Sequence, residues 1–440
     1  MISIFDRLKV LLKSKKIHKL KLTNSFIVLV VCLLKIIFGK LARSKYSIRL
    51  EESFKELYGA EGAIIFPHAR TALYFVLKSF GLNSGDEVLM TPLTIADMVN
   101  SIHTAGLRPK FIDVELKTLS VDIKKLEQSI TEKTRVLLIT HLFGVVPEMK
   151  AIMDIADKNG LIVIEDCSQC FRAQYKGRKI GTFGEAAIFS LTNFKTCSSL
   201  FGGMVITDNQ ELFKKLIHFR KTEILPPKSI IPVKHLIKNL VYSILFSRWL
   251  FSYFTYFIVL SLEKISPEMN YRLYSGNIKI VLGKFENSLY SEFPNYYLLD
   301  YTDPQAYVGL HSFAQAEQTT RRRTENGELL RQLLKEICAI EIPIKLAGAT
   351  NVYWRFPIVS DDRDGLKKFL LDHGIDSAPT YLALCSKEPG FEPYHQATPV
   401  AERFKKNALV VEVNEKLGED DIRSIACLVG SYFNREKLAS

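Results

Sequence analysis

The chain has 440 residues, a length that favours two domains over one small core. Hydrophobic residues make up 47% of it and charged residues 24%, which are values of globular proteins and exclude a disordered chain. The net charge of +12 is uneven, because the first 45 residues hold many lysines and arginines and one acid, Asp6.

The basic N-terminal arm, residues 1–45, alternates its lysines and arginines with Ile, Leu, Val and Phe. This pattern favours an anionic membrane surface as its partner, and the chain carries no motif that reads nucleic acid. The apolar run at 26–34 is broken by Lys35 and is shorter than the ~20 residues that a spanning helix needs. We therefore predict an anchor that lies in the membrane interface; a helix of the protein core is the alternative.

Residues 46–223 alternate predicted strands and helices. Strands are predicted at 63–66, 88–90, 110–114, 135–140 and 161–164, and helices at 50–58, from about His68, at 123–130 and at 148–157. This rhythm predicts a mostly parallel sheet with helices on both faces. His141 follows one of these strands, and both a structural and a catalytic role stay open for it.

The stretch 161–208 carries the chemistry. Its first apolar run ends in Glu165 and Asp166, as a buried parallel strand does when it delivers a carboxylate to the edge where α/β sheets keep their sites. A second strand, predicted at 186–190, is followed by Lys195, and a third begins at Gly203. A lysine and an acid placed in this way suit pyridoxal phosphate (PLP) chemistry, although the pair alone is equally typical of an exposed strand-end aspartate and a solvated lysine. The lysine holds the aldehyde as a Schiff base, and the acid keeps the pyridine nitrogen protonated.

The same stretch matches spaced motifs of a known family, E-D-x-A-Q, G-x-x-x-G-x-x-G, F-S-F-x-x-x-K and G-G. The matching residues are Glu165-Asp166-Cys167-Ser168-Gln169, Gly177, Gly181 and Gly184, Phe189-Ser190-Leu191, Lys195, and Gly202-Gly203. The chain thus resembles the DegT/DnrJ/EryC1/StrS family of PLP-dependent sugar aminotransferases. The resemblance implies fold type I, with a mostly parallel seven-stranded sheet between helices at 46–223 and a smaller α+β domain at 304–440.

Carried over residue by residue, the resemblance implies four roles around PLP. Lys195 would form the Schiff base, and Asp166 would pair with the pyridine nitrogen. Ser190 would bind the phosphate, and Gln169 would lie beside the ring. Some members of the family replace the lysine with histidine and act as dehydratases, a function that Lys195 excludes.

The chain departs from the family at positions close to the cofactor. Ala69 and Arg70 replace glycine and threonine at the helix N-terminus that holds the phosphate in relatives. The backbone amides survive this change, and Arg70 is either an added charged contact to the phosphate or an exposed first-turn residue. Ile95 stands where relatives stack an aromatic side chain on the ring, so we expect it to cover the ring without stacking.

Two further departures follow the lysine. Leu200 and Phe201 replace an acid and a glycine of the family's G-E-G-G. Where relatives have an asparagine that reaches the phosphate of the neighbouring subunit in a dimer, this chain has Leu298, and Asn295 lies three residues earlier.

An insertion at 224–303 has no counterpart in ordinary relatives. Its middle, 240–262, is apolar and long enough to span a bilayer. However, the lysine precedes it and the C-terminal domain follows it, and the two must meet on one side. We therefore predict a re-entrant hairpin or an in-plane helix, with Trp249, Tyr253 and Tyr256 at the interface. The alternative is a buried helical pair at an oligomer interface.

In the C-terminal domain, helices are predicted at 305–337, 363–373 and from about 419 to 433, with strands at 352–359 and from 374. Three adjacent arginines, Arg321 to Arg323, are interpreted as a solvated face without a role. The seven cysteines are scattered and odd in number, which predicts reduced thiols of a cytoplasmic protein. Cys167 and Cys170 form a single C-x-x-C, and we interpret them as small core residues that bind no metal.

The resemblance implies transamination with PLP as cofactor. The expected donor is an amino acid, commonly glutamate, and the acceptor is a nucleotide-linked ketosugar or a keto group carried on or near lipid, in the biosynthesis of surface glycans or related compounds. We expect a homodimer in peripheral contact with the cytoplasmic face of the membrane, with no nucleic acid as partner. The alternative is a membrane-associated binding or regulatory protein that keeps the fold and has lost catalysis.

Overall fold

The computed structural model describes residues 16–17, 24–265 and 288–439. Residues 1–15 and 18–23 of the predicted N-terminal arm and residues 266–287 of the predicted insertion lie outside the described residues. Within the described ranges, no helix combines the length and the apolar character that a membrane crossing requires.

A seven-stranded sheet forms the centre of the N-terminal half. The strands of this half are β1 Gly62–Phe66, β2 Glu87–Met90, β3 Leu93–Thr94, β4 Arg108–Phe111, β5 Val114–Glu115, β6 Ser120–Val121, β7 Thr134–Thr140, β8 Ile162–Asp166, β9 Gln174–Tyr175, β10 Arg178–Lys179, β11 Ala186–Ser190 and β12 Gly203–Thr207. The sheet order is β1-β12-β11-β8-β7-β2-β4. Neighbours from β11 to β4 are parallel, and β12 is antiparallel to both of its neighbours. The predicted mostly parallel sheet is confirmed.

Helices cover both faces of this sheet. They are α1 Phe26–Phe38, α2 Lys45–Tyr58, α3 Ala69–Ser79, α4 Ala96–Thr104, α5 Ile123–Ser129, α6 Met149–Lys158 and α7 Gln210–Thr222. Alternate residues of each strand enter opposite layers, because strand side chains have a period of two. In β1, for example, Ile65 belongs to the layer that contains α2, and Ile64 belongs to the layer that contains α3.

Residues 224–265 of the predicted insertion contain two helical segments joined by a short turn. Helix α8, Ile230–Leu245, ends in a turn, and a second segment, 248–265, follows with a π-helical turn at Phe251–Thr255. We call this segment α9. The Tyr256 side chain is fully buried, and its hydroxyl donates to the carbonyl of Leu371 in the C-terminal domain. The prediction that Tyr256 lies at the membrane interface is therefore wrong, because its ring packs inside the protein.

The C-terminal half begins with a 32-residue helix and ends in a small α+β domain. The remaining elements are α10 Asp303–Leu334, β13 Ala349–Thr350, β14 Phe356–Val359, α11 Arg363–Asp372, β15 Ala378–Pro379, β16 Ala383–Leu384, α12 Pro399–Asn407, β17 Ala408–Val411 and α13 Glu419–Ala439. β14, β17 and β15 form its sheet. The strand predicted at 352–359 begins only at Phe356, because Tyr353 has a φ of 39°, outside the strand region. The strand predicted from 374 begins at Ala378.

Candidate active site

The two predicted catalytic residues come from the ends of adjacent parallel strands. β8 ends at Asp166 and β11 ends at Ser190, with Ile188 paired to Asp166, so both strands deliver their last side chains to the same edge. Lys195 lies on the loop that joins β11 to β12. Backbone hydrogen bonds from Leu191 N–H to the Gly202 carbonyl and from Ser199 N–H to the Leu191 carbonyl, both 2.9 Å, close this loop.

One pocket collects the predicted residues around the lysine. Gln169, Ser190 and Lys195 all line it, together with Ser168 and Thr196. The structure therefore brings these predicted residues together. Asp166 adjoins the pocket through the next residues in the chain, and its charge acts directly on Lys195.

Hydrogen bonds hold two of these groups in place. The Asp166 Oδ1 atom accepts the N–H of Ser168 at 3.0 Å. Gln169 Oε1 accepts the N–H of Phe143 at 2.8 Å, and its Nε2 donates to the hydroxyl of Tyr381 at 3.4 Å. The side chains thus have defined orientations before any ligand arrives.

The lysine has the electrostatics of a nucleophile. The pKa of Lys195 is lowered from 10.5 to about 8. Burial is the main cause, the charge of Arg355 adds to it, and the charge of Asp166 acts in the opposite direction. A substantial fraction of the amine is therefore neutral near physiological pH, which is the form that attacks a carbonyl.

The lysine packs against an aromatic side chain from the C-terminal domain that the motifs did not predict. Lys195 Nζ lies 4.1 Å from the ring centroid of Trp354, and Trp354 Nε1 donates to the carbonyl of Phe194 at 2.7 Å. Arg323 is 1% exposed and donates to the Trp354 carbonyl at 2.6 Å. Of the three arginines interpreted as a solvated face, Arg323 thus contradicts the interpretation, because the helix turns its side chain inward.

The phosphate end of the predicted site forms around Gly203. This glycine pairs with Ser190 across the β11–β12 ladder and lies against the first turn of α3. A Cβ atom at Gly203 would come within 2.5 Å of the Ala69 nitrogen and of the His68 carbonyl carbon, so only glycine permits the approach. Ser190 and the N-terminus of α3 therefore converge on one small region, as a phosphate site requires.

Arg70 and Ile95 flank this region. Arg70 pairs with Asp97 of α4 and donates to the hydroxyl of Tyr297 at 2.7 Å, a residue of the predicted insertion. Ile95 precedes α4 and packs, partly buried, in the same apolar layer as Ala69. The predicted cofactor roles of Ala69, Arg70 and Ile95 remain predictions.

His141 and Glu165 are buried residues whose contacts hold the segments next to the site in place. The Glu165 carboxylate accepts backbone N–H groups of Gly181, Phe183 and Gly184 at 2.7–3.1 Å, which ties the glycine-rich loop to the end of β8. His141 is fully buried, and its Nε2 lies 3.2 Å from Glu165 Oε2. These contacts favour a structural role for His141.

His141 also lies beside the C-x-x-C pair. One ring nitrogen and the sulfurs of Cys167 and Cys170 lie within 4.8 Å of one another, and all three residues are buried. Burial raises the pKa of both thiols, so each would have to lose a proton against its environment before it could bind a metal.

The altered G-E-G-G segment has a packing explanation. Leu200 and Phe201 are buried, at 1% and 4% exposure, in a small cluster with Leu29 of α1 and Leu236 of α8. Phe194, on the other side of the lysine, belongs to a second cluster formed with α8 and α9. Apolar side chains therefore replace the acid and the glycine where additional helices cover the loop.

The site fits PLP on its own geometry. Lys195 provides an amine in the pocket, Asp166 provides a carboxylate beside it, and the close approach at Gly203 leaves the start of α3 and Ser190 for a phosphate. The residues that would hold the cofactor are thus Asp166, Lys195 and Ser190, with the backbone of Ala69 and Arg70.

Comparison with known proteins gives relatives that act on sugars. The chain is 34% identical over 179 residues to the GDP-perosamine synthase of Escherichia coli O157:H7, which covers 41% of this chain and 49% of that protein. It is 22% identical over 400 residues to the GDP-perosamine synthase of Vibrio cholerae, which covers 89% of this chain and 92% of that protein. The more identical of these matches thus spans about half of the relative's length.

Solved structures confirm the predicted fold. The sugar aminotransferase CalS13 from Micromonospora echinospora superposes with a TM-score of 0.72 at 19% identity and covers 94% of this chain and 98% of its own. Helicobacter pylori PseC, an aminotransferase involved in the biosynthesis of pseudoaminic acid, gives a TM-score of 0.69 at 19% identity over 96% of this chain and 99% of its own.

The sequence model of one family matches residues 36–229 and 296–429 and leaves 230–295, within the predicted insertion, unmatched. The match covers both domains and includes every motif residue around Asp166 and Lys195. The chain belongs to the DegT/DnrJ/EryC1/StrS aminotransferase family.

Proposed function

We propose that the protein is a PLP-dependent sugar aminotransferase, which moves an amino group from an amino acid to the keto group of a sugar. The observation that carries this proposal is that Lys195, on the loop after β11, lines a pocket that adjoins Asp166 at the end of β8, so that the Asp166 charge acts on the lysine. The relatives named GDP-perosamine synthase support a nucleotide-linked sugar as the acceptor.

The roles of the side chains follow from their positions. Bound at this pocket, PLP supplies an electron sink for the carbanion that forms when a donor loses its Cα proton. Asp166 holds the proton on the pyridine nitrogen, and Lys195 Nζ takes up the Cα proton as general base. The lowered pKa of Lys195, about 8, suits this work near neutral pH. Gln169 lines the pocket, and the Trp354 ring packs against the Lys195 amine.

Glutamate is the donor we propose, and a nucleotide-linked ketosugar is the first choice of acceptor; a keto group carried on lipid is the second. We also propose a homodimer at the cytoplasmic face of the membrane, with a place in the biosynthesis of surface glycans or related compounds. The basic and apolar sequence at 1–45 supports the membrane location.

The experiment is reconstitution of the purified chain with PLP, read by the visible absorbance band of lysine-bound PLP. Lys195→Ala is expected to abolish the band, and Lys214→Ala, which changes a lysine with 68% exposure on α7, is expected to retain it. Addition of glutamate should bleach the band, and a ketosugar nucleotide should restore it.

A second candidate function is tested by the same spectrum. Leu200, Phe201 and Leu298 depart from the family pattern, which suits a protein that keeps the fold and binds a ligand without catalysis. A colourless protein that does not respond to added PLP would support this candidate and contradict the aminotransferase.

A further inference from the structure

The exposed large apolar side chains of the described residues are concentrated in three helices. Of the eighteen such residues, five lie on α1, four on α8 and five on α9. Those of α8 and α9 are Ile230, Ile237, Val241, Ile244, Trp249, Tyr253, Phe254, Ile258 and Ile265, and those of α1 are Phe26, Ile27, Leu34, Ile37 and Phe38. Such a concentration marks an interaction surface, because single exposed apolar residues are normally scattered.

Each of these helices is apolar on both of its faces. On α8, Leu236 is buried against the protein, whereas Ile237, Val241 and Ile244 follow one another at intervals of four and three residues along the exposed side. On α1, Leu29, Cys32 and Ile36 are buried, and Leu34 and Ile37 face outward. A surface helix of a water-soluble domain has a polar outer face, so these outer faces require an apolar neighbour.

The three helices are contiguous in space. α1 and α8 share the cluster that contains Leu200 and Phe201. The end of α8 shares a second cluster with α9, in which Tyr242 and Phe246 meet Phe251 and Tyr256. The outer faces therefore belong to one continuous helical layer, and we call these faces the outer apolar surface.

The charges on the same helices select the partner. Neither α1 nor α8 contains an acidic residue; Lys234 on α8 is exposed, and so is Lys40, two residues after the end of α1. A second copy that used the same surface would bring lysines against lysines, whereas anionic lipid headgroups complement them. The aromatic side chains of Trp249 and Tyr253, with 65% and 50% exposure, suit the headgroup level of a bilayer.

We propose that the outer apolar surface of α1, α8 and α9 docks in the plane of an anionic membrane. The inner faces of the same helices pack on Phe194 and on Leu200 and Phe201, on both sides of Lys195. Docking thus places the lysine loop one helix layer from the bilayer. An acceptor carried on lipid reaches the pocket from that side; this last step rests on the proposed function, whereas the docking does not.

The test uses the only two tryptophans of the chain as built-in probes. Trp249 lies on the outer apolar surface, and Trp354 is buried beside Lys195. The purified full-length chain is mixed with vesicles of phosphatidylcholine alone or with phosphatidylglycerol, and brominated lipids serve as quenchers. We expect sedimentation with the anionic vesicles and quenching of tryptophan emission. In Trp249→Phe, sedimentation should persist and the quenching should disappear, because only Trp354 remains.

Two substitutions at exposed apolar side chains distinguish docking by this surface from nonspecific adsorption of the protein to vesicles. Ile237→Asp, at a side chain with 52% exposure on α8, should lower the partition coefficient into anionic vesicles at least tenfold. Leu333→Asp, at a side chain with 37% exposure near the end of α10, should leave it unchanged. Equal melting temperatures would show that both variants fold.

Three results would overturn the proposal. The first is that the chain does not bind anionic vesicles. The second is that the two aspartate variants lose the same part of the partition coefficient. The third is that the protein sediments with the vesicles but brominated lipid does not quench its tryptophan emission. If Ile237→Asp instead halves the mass in solution, the surface is an interface between copies. None of these readouts needs turnover, so failure of the docking and failure of the aminotransferase are distinguishable.

Discussion

Lys195 reacts as a neutral amine, and its surroundings set how much of it is neutral. Burial and the charge of Arg355 lower its pKa to about 8, against the pull of Asp166. At this value about a tenth of the amine is neutral at pH 7, compared with far less than a hundredth for an ordinary lysine. The pocket therefore prepares the side chain for attack on an aldehyde.

The pH dependence of PLP capture tests this directly. We expect the second-order rate of band formation in the cofactor-free chain to rise about tenfold for each pH unit below 8 and to level off above it, because a lowered pKa moves the neutral form to lower pH. Stopped-flow absorbance over a pH series measures the midpoint. A midpoint near the ordinary lysine value of 10.5 would contradict the prediction.

Among the residues of the candidate active site, the sequence motifs predicted those that come from one stretch of the chain. Gln169, Ser190 and Lys195 share a pocket that Asp166 adjoins, because strand ends and short loops place them, and these follow local spacing. Trp354 and its support by Arg323 could not be predicted in the same way. They come from more than a hundred residues further along, and only the docking of the C-terminal domain brings them to the lysine.

Among the elements, α2 and α10 meet at a single buried carboxylate. Asp303 begins α10, and its side chain accepts hydrogen bonds from the backbone N–H groups of Ser44, Tyr46 and Ser47 and from both serine hydroxyls, at 2.7–3.1 Å. The start of one helix thus caps the start of another, which satisfies donors that a helix N-terminus otherwise leaves open.

Removal of this cap has a defined cost. We expect Asp303→Ala to lower the free energy of unfolding by about 2–4 kcal/mol, because several buried donors lose their acceptor. Asp364→Ala, at a side chain with 77% exposure on α11, is the control and should change it by less than about 0.5 kcal/mol. Urea denaturation followed by circular dichroism measures both, and equal values for the two variants would contradict this account.

The strands of the main sheet were predictable because each is a short apolar run that the sheet buries on both faces. The prediction of a strand at 352–359 failed because a backbone feature overrides side-chain character. The left-handed φ of Tyr353 delays β14, and no glycine stands there to announce it.

Across the whole molecule, the insertion joins the two domains. Phe194 of the lysine loop and Leu371 of the C-terminal domain belong to the same cluster with Tyr256 of α9. Helix α9 therefore packs against the lysine loop and the C-terminal domain with its inner side and carries part of the outer apolar surface on its other side. No length or hydropathy argument could predict this contact, because it depends on tertiary packing.

Two tyrosines of α9 distinguish the contribution of this helix to the protein core from its contribution to the outer apolar surface. Tyr256→Ala should lower the free energy of unfolding by about 3–5 kcal/mol, because the ring is fully buried and its hydroxyl bonds the Leu371 carbonyl. Tyr253→Ala, three residues earlier with 50% exposure, should leave stability within about 0.5 kcal/mol of the parent chain. Thermal unfolding by calorimetry compares the two, and an equal loss would show that Tyr256 is not part of the core.

The replacement of the family's acid and glycine by Leu200 and Phe201 has a consequence for protein engineering. Because these side chains fill the space beneath α1 and α8, the loop and the helices form a single transferable unit. A chimaera that grafts a relative's glycine-rich loop into this chain would leave a void under both helices. The reverse graft would expose a leucine and a phenylalanine to water. Exchange of parts between this enzyme and its shorter relatives therefore has to move all three segments together.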